Sequence, residues 1–152
     1  EIAWLIELVS AIRSARTELN VPPGAKLALH APEAEAGLRA RLGRHGPALE
    51  RLARVEAVSF SAAPAGGTAQ LVVEGLTYAL PLEGVIDLGA ERARLQKAAE
   101  QAEKEAAALS DRLNNPGFVE RAKPEAVEKA REDFTARSTE AERLRAALAR
   151  LG

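Results

Sequence analysis

The sequence predicts an α+β fold: a small layer of about four strands with helices on it, followed by a long antiparallel two-helix coiled-coil arm. Short alternating apolar stretches between residues 26 and 82 are typical of strands. Two segments, 88–113 and 124–151, carry narrow apolar stripes at helical spacing. Aromatic residues make up only 3% of the 152 residues, which argues against a large core.

Residues 1–20 have the pattern of a helix. Leu5, Val9, Ile12, Arg16 and Leu19 fall on one face at spacings of three and four. The segment 21–24, Val-Pro-Pro-Gly, ends it, because a residue before proline avoids the helical region. The chain begins with glutamate, and we interpret it as a piece of a longer protein. We therefore expect a preceding helical bundle, rather than this chain, to cover the apolar stripe.

The pattern of residues 25–86 predicts a small α+β domain. A helix over 33–54, interrupted at 43–47, separates the first two strands. Pro81 indicates an edge position for the last strand, because proline cannot donate to a neighbouring strand. The glycine-rich segment 63–67 lacks the Gly-Lys-Ser/Thr ending of a phosphate-binding loop, so a hairpin loop is expected. The predicted strands are 26–31, 55–61, 69–74 and 76–82.

Residues 87–152 predict the arm. Asp87 is a suitable N-cap for the first helix, and Pro124 suits the first turn of the second. The short connection at 114–124 makes the two helices antiparallel neighbours. Alanine occupies many seam positions and buries little area, so we expect modest stability. The seam comprises Leu88, Leu95, Ala99, Ala102, Ala106, Leu109 and Leu113 on the first helix, and Val127, Ala130, Phe134, Ala141, Leu144, Leu148 and Leu151 on the second.

Composition excludes several classes of function. The net charge of −1 argues against strong non-specific binding of nucleic acid, and no apolar run is long enough for a transmembrane helix. Cysteine is absent, which excludes disulfides and thiolate metal sites and fits a cytosolic protein. His30 and His45 lie far apart without a nucleophile or paired carboxylate, so we predict surface or strand-end histidines and no catalytic or metal site.

Three motifs carry a resemblance to a family. Residues 12–23 (Ile-Arg-Ser-Ala-Arg-Thr-Glu-Leu-Asn-Val-Pro-Pro) resemble the end of the anticodon-binding helical domain of valyl-tRNA synthetases. Residues 80–88, followed by Glu91, Arg94, Leu95 and Lys97, are similar to the entry into that family's C-terminal coiled-coil arm. Residues 113–119, with Ala122, Pro124 and Val127, look like the arm tip. The resemblance covers the whole chain and is to bacterial members.

The resemblance implies a division into 1–24, the terminal helix of the anticodon-binding domain, 25–86, the small α+β domain, and 87–152, the tRNA-binding arm. It implies that the arm contacts the tRNA elbow and positions tRNA(Val) for aminoacylation and editing. Those reactions, and ATP, belong to catalytic and editing domains upstream. Neither family signature, His-Ile-Gly-His or Lys-Met-Ser-Lys-Ser, occurs here, so the fragment is expected to have no catalytic site and no cofactor. The expected partners are tRNA(Val) and the upstream domains of the same cytoplasmic enzyme, with no membrane and no DNA.

The arm carries 13 basic and 12 acidic residues from position 88 onward, so position matters more than the sum. Phe118 either plugs the open end of the helix pair or stacks on a base, and Arg137, at a seam position, either reaches the surface or faces RNA. A rival interpretation is a coiled-coil module that docks a partner protein. The candidate RNA-binding residues are Arg92, Arg94, Lys97, Lys104, Arg112, Phe118, Arg121, Lys123, Arg131 and Arg137.

Overall fold

The computed structural model describes residues 1–151 and confirms the α+β class. A four-stranded mixed sheet carries helices, and a long helix pair, α4 and α6, packs together. The helices are α1 (Ile2–Glu18), α2 (Ala36–Arg44), α3 (Gly46–Ala53), α4 (Leu88–Leu113), α5 (Pro116–Arg121) and α6 (Pro124–Arg150). The strands are β1 (Leu27–His30), β2 (Val55–Ser59), β3 (Thr68–Val73) and β4 (Leu76–Pro81).

The sheet has the order β2-β1-β4-β3. β1 and β2 are parallel and are joined through α2 and α3, whereas β4 is antiparallel to both of its neighbours. β3 and β4 form a hairpin whose two turn residues, Glu74 and Gly75, have φ angles of 49° and 78°. Positive φ at both positions matches the right-handed twist of the strands, which explains the glycine.

Two sequence expectations about the sheet are wrong. β4 is an internal strand, not an edge. Pro81 is tolerated because it is the last residue of β4, two positions beyond the His30–Ala79 pair that joins β4 to β1. The loop at 63–67 is not a hairpin loop either, because β2 and β3, which it connects, are the two opposite edges of the sheet.

The first helix also differs from expectation. Its apolar stripe packs on β3 and α3 of this chain, and not on a preceding helical bundle as expected. Trp4, Leu8 and Ile12 are buried there, and the Trp4 indole N–H donates to the Tyr78 hydroxyl at 3.4 Å. Burial of Tyr78 raises the pKa of its hydroxyl. Only Ile2 and Ile6 leave large apolar side chains of α1 exposed.

The described chain divides into two compact units. Unit 1 comprises residues 1–91 and 149–152, and unit 2 comprises residues 92–148. Within unit 1, Leu151 pairs with Ala69 of β3, and the Arg150 guanidinium lies 2.5 Å from the Glu18 carboxylate. The functional division at residues 24/25 and 86/87 stays a prediction. No helix within residues 1–151 combines the length and apolar character needed to cross a bilayer.

Replacing Leu71 with alanine should lower the free energy of unfolding of unit 1 by about 2–5 kcal/mol, because a buried side chain leaves a cavity. Its neighbour Val72 lies on the opposite face of β3 and is 66% exposed, so Val72→Ala should cost less than about 1 kcal/mol. Urea unfolding followed by the fluorescence of Trp4, the single tryptophan, measures both. Equal losses would contradict the assignment of the core face.

Candidate nucleic-acid interface

The two long helices of unit 2 meet along a seam of small residues. Most buried positions are alanines, and the longer predicted members, such as Leu109, Phe134 and Leu144, are only half-buried. Small side chains let helix backbones approach closely but contribute little buried area. The seam therefore sets geometry more than stability. Its buried residues are Leu95, Ala99, Ala102, Ala106, Val127, Ala130, Ala141 and Ala147.

Polar side chains join the helices beside this seam. The Arg145 guanidinium donates to both carboxylate oxygens of Glu103, at 2.6 and 3.0 Å, and to the Gln96 side-chain oxygen at 3.1 Å. This two-pronged geometry holds the pKa of Glu103 below its ordinary value and raises that of Arg145. Arg137 lies 3.7 Å from Glu105 of α4 and 2.8 Å from Glu140 of its own helix.

The outer face of α4 carries a basic stripe. We define it as Arg94, Lys97, Gln101, Lys104, Ala108 and Arg112, which follow one another at spacings of three and four. All six residues are exposed, and none is acidic. Lys97 and Lys104 have no ion-pair partner within residues 1–151. The stripe extends for roughly 27 Å along the helix at 1.5 Å per residue.

The outer face of α6 has the opposite charge in its first half. Glu125, Glu128 and Glu132, the acidic stripe, are exposed and recur at spacings of three and four. Each stripe lies opposite its own helix seam, so the two are about 20 Å apart across two packed helices. That separation exceeds the Debye length of about 8 Å at physiological salt, so the acidic stripe does not cancel the field of the basic stripe.

The tip contains a short helix that the sequence analysis treated only as a connection. Asn115 starts α5 by accepting the Gly117 N–H at 3.0 Å, and Pro116 takes the first helical position. Phe118 is half-buried, and the Arg112 guanidinium lies 5.7 Å from the centre of its ring. The ring is thus neither fully buried as a plug nor free on both faces.

The structure gathers only some of the predicted RNA-binding residues. Arg94, Lys97, Lys104 and Arg112 lie together on the basic stripe, and Arg92 is exposed nearer the seam. Arg121, Lys123 and Phe118 lie at the tip.

The α6 candidates occur in less basic surroundings. Arg131 lies 4.0 Å from Glu128 of the acidic stripe, and Arg137 is held by the ion pairs already described. The helical spacing of Gln101 and Ala108 would have identified them as stripe members.

The two histidines lie in separate surroundings. The His30 side chain is buried at the end of β1 with its Nδ1 atom 3.1 Å from the Ser61 carbonyl, and His45 lies 3.0 Å from the Glu1 carboxylate. Within residues 1–151, no group of three or more histidine, aspartate or glutamate side chains is arranged to hold a metal ion. The arrangement in unit 2 suits an extended anion rather than a small substrate.

Comparison with known proteins agrees with this geometry. The family described as "Valyl tRNA synthetase tRNA binding arm" matches residues 87–152. The chain is 59% identical over 152 residues to the valine--tRNA ligase of Sphingopyxis alaskensis, covering 100% of this chain and 16% of that protein. It is likewise 59% identical to the enzyme of Rhizorhabdus wittichii, covering 100% of this chain and 17% of that one. The match to the Zymomonas mobilis enzyme is 50% over 151 residues, 99% of this chain and 17% of the relative. The chain thus spans about a sixth of the length of these relatives.

The Arg145–Glu103 pair should stabilise the helix pair only while Glu103 is ionised. Its pKa is lowered in the folded state, so the contribution is complete above the ordinary glutamate value of 4.5 and is lost as pH falls through the lowered value. Thermal unfolding of unit 2, followed by circular dichroism, should show Arg145→Gln destabilised at neutral pH.

At acidic pH below the lowered value, Arg145→Gln and the unmodified chain should converge. Arg143→Gln is the control: it removes the same charge two positions earlier on α6, and Arg143 has no ion-pair partner within residues 1–151. That control should show no such convergence with pH. A destabilisation by Arg145→Gln that stays constant down to the acidic range would rule out the ion pair as its cause.

Proposed function

Because this chain belongs to the valyl-tRNA synthetase family and includes its tRNA-binding arm, we propose that the basic stripe of α4 binds the backbone of tRNA(Val) at the elbow. The basic stripe is the observation that favours this face of the arm for RNA binding. It is exposed, continuous and free of carboxylates, while the acidic stripe of α6 would repel phosphates. The arm thereby positions the tRNA without taking part in chemistry.

Lys97 and Lys104 are seven residues apart, or about 10 Å along the helix, a spacing that lets two lysines reach separate phosphates of one strand. Each phosphate neutralised releases condensed counterions, so binding weakens as salt rises. RNA elbows are recognised by shape, backbone and unpaired bases, which a straight helix with exposed cations at its surface can contact. Arg121, Lys123 and Phe118 extend the same surface at the tip, with Phe118 offering one ring face to a base.

The rest of the reaction belongs to other parts of the enzyme. We propose that domains preceding this fragment carry out ATP-dependent aminoacylation with valine and the editing of mischarged tRNA, in the cytoplasm, with residues 1–24 completing the anticodon-binding domain. Editing is needed because a hydrophobic pocket discriminates weakly between valine and isosteric threonine. A rigid arm that fixes the elbow would keep the tRNA in place during both reactions. This fragment itself would need no cofactor.

Docking of a partner protein is less well supported. Among the described residues of unit 2, Val119 is the one large apolar side chain classed as exposed, at 37%. A partner helix would require an apolar stripe outside the seam, because apolar burial drives such association. The exposed surface of α4 is instead made of charged, polar and small residues.

Replacing Lys97 and Lys104 together with glutamine should weaken binding of tRNA(Val) and reduce the slope of log K against log salt by about 2, one for each lost phosphate contact. Fluorescence anisotropy with labelled tRNA over a series of salt concentrations gives both quantities. Lys129→Gln combined with Arg143→Gln is the charge-matched control, because it also removes two positive charges, both on α6, and Lys129 already pairs with Asp133 at 3.4 Å. An equal loss of affinity and of salt slope in the control would contradict the assignment of RNA binding to the basic stripe.

Binding to the arm should also require an intact elbow. A tRNA(Val) variant with its D-loop/T-loop contact disrupted should bind the unmodified chain more weakly and with a shallower salt slope, because the stripe can no longer align with the folded backbone. The same anisotropy titration measures it. Equal affinity for both RNAs would contradict elbow recognition, and salt-independent binding would contradict phosphate contacts.

A further inference from the structure

Four arginines of unit 1 gather around one open cleft of about 470 Å³. Arg13 and Arg16 lie three residues apart on α1, and Arg51 and Arg54 lie three residues apart at the end of α3. Arg13 and Arg16 therefore share one face of α1, whereas Arg54 is the residue that follows α3, with a left-handed φ of 56°. We call this feature the arginine cleft. No carboxylate lines it, and its other lining residues are Thr17, Val21, Pro23, Leu52 and Ala53.

Arg16 forms the buried part of the arginine cleft. Its Nη2 group donates to the Pro22 carbonyl at 3.1 Å and approaches the Pro23 carbonyl at 3.4 Å. The residue is only 8% exposed, and its Nη1 group is buried without a hydrogen-bond partner among the described residues. Burial, together with the nearby charge of Arg54, lowers the pKa of Arg16. A buried guanidinium with no counter-charge is costly to the fold.

The other three arginines are exposed and have no ion-pair partner within residues 1–151. Other basic side chains of unit 1 pair with carboxylates or lie over aromatic rings, as Arg39 does over Phe60. Lys26 lies 3.3 Å from Glu50, and Arg44 lies 2.7 Å from Glu1. The arginine cleft is therefore a local concentration of uncompensated positive charge, which an anion in the cleft would offset.

The residue type indicates which anion. Arginine presents planar, paired N–H donors that match the oxygens of phosphate, and it remains charged at all physiological pH values. Several guanidinium groups around one cleft suit a ligand with several charged oxygens. A single carboxylate can accept the paired N–H donors of only one guanidinium group. A phosphate in an RNA backbone presents such oxygens on an exposed strand.

We propose that the arginine cleft binds a backbone phosphate of RNA, as a contact separate from the arm. That the RNA is the tRNA held by the arm rests on the proposed function, but the phosphate site does not. Arg13, Arg51 and Arg54 contact the phosphate, and Arg16 adds its buried charge and fixes the Pro22–Pro23 segment that forms one wall. A free phosphate ion and an RNA phosphate share this chemistry, so the tests separate them.

The first test is a titration of the chain with inorganic phosphate at constant ionic strength, followed by NMR of the arginine Nε–Hε groups. Saturable shifts are expected for Arg13, Arg51 and Arg54, and not for Arg44, which lies on α2 outside the cleft. Substituting Arg51 and Arg54 together with glutamine should abolish the shifts at Arg13. Uniform, unsaturated shifts of all arginines would overturn the site.

The second test uses tRNA(Val) and the salt series. Arg51→Gln should reduce the slope of log K against log salt by about 1, as should Arg54→Gln, while Arg44→Gln leaves it unchanged. An unchanged slope in both cleft variants, beside a reduced slope for Lys97→Gln/Lys104→Gln, would overturn the RNA contact and leave the arm assignment intact. Stronger shifts with a glutamate-rich peptide than with phosphate would assign the cleft to a protein carboxylate and likewise overturn the proposal.

Discussion

The packing of two helices over a seam of mostly alanine side chains is the constraint on which unit 2 depends. Ala99, Ala102 and Ala106 on α4 face a seam that also contains Ala130 and Ala141. Such a seam supplies little hydrophobic stabilisation per residue. Polar contacts beside it, above all the Arg145–Glu103 pair, therefore determine how α4 and α6 align. The narrow seam also leaves most of each helix circumference to solvent, and that surface is where function can be placed.

The use of that surface differs between the helices. On α4 the six residues of the basic stripe are basic or uncharged, while Glu103 and Glu105 pair with arginines of α6. Glu100 and Asp111 are exposed carboxylates of the same helix that lie outside the stripe. The contacts that align the helices thus also pair two of the carboxylates of α4 with arginines. Structure and recognition are consequently linked through single residues: loss of Glu103 would both loosen the arm and alter the charge around the stripe. In unit 1 the arginines of the arginine cleft likewise have no ion-pair partner among the described residues.

Much of the fold could be read from the sequence, but strand order and helix partners could not. The positions of α4 and α6 could be predicted from the seven-residue spacing of Leu95, Ala102 and their neighbours, because that spacing places the apolar side chains on one narrow face of a helix. The edge position predicted from Pro81 was wrong, because a proline at the end of an internal strand cannot be distinguished in sequence from a proline in an edge strand. The stripe of α1 likewise says that a partner exists but not that β3 and α3 supply it.

The candidate site was only partly predictable for a similar reason. Lysines and arginines on α4 and at the tip were identifiable by position in the sequence, and the resemblance to valyl-tRNA synthetases pointed to the arm. A near-zero charge sum, however, hid the separation into a basic and an acidic stripe, which depends on helical phase. The ion pair of Arg137 with Glu105 joins residues 32 positions apart, and the arginine cleft joins α1 to the end of α3. Such long-range neighbours leave no local signal.

The most direct test of the central claim uses the absence of cysteine from the chain. Ala108 lies on the basic stripe and Ala136 on the outer side of α6, and both are exposed alanines. Each would be replaced with cysteine in turn and tethered to an iron chelate that generates hydroxyl radicals, which cleave nearby RNA. Cleavage of the D and T loops of bound tRNA(Val) from Ala108→Cys, with little from Ala136→Cys, is the expected result. Equal cleavage from both positions, or stronger cleavage from Ala136→Cys, would contradict the assignment of the RNA-binding face to α4.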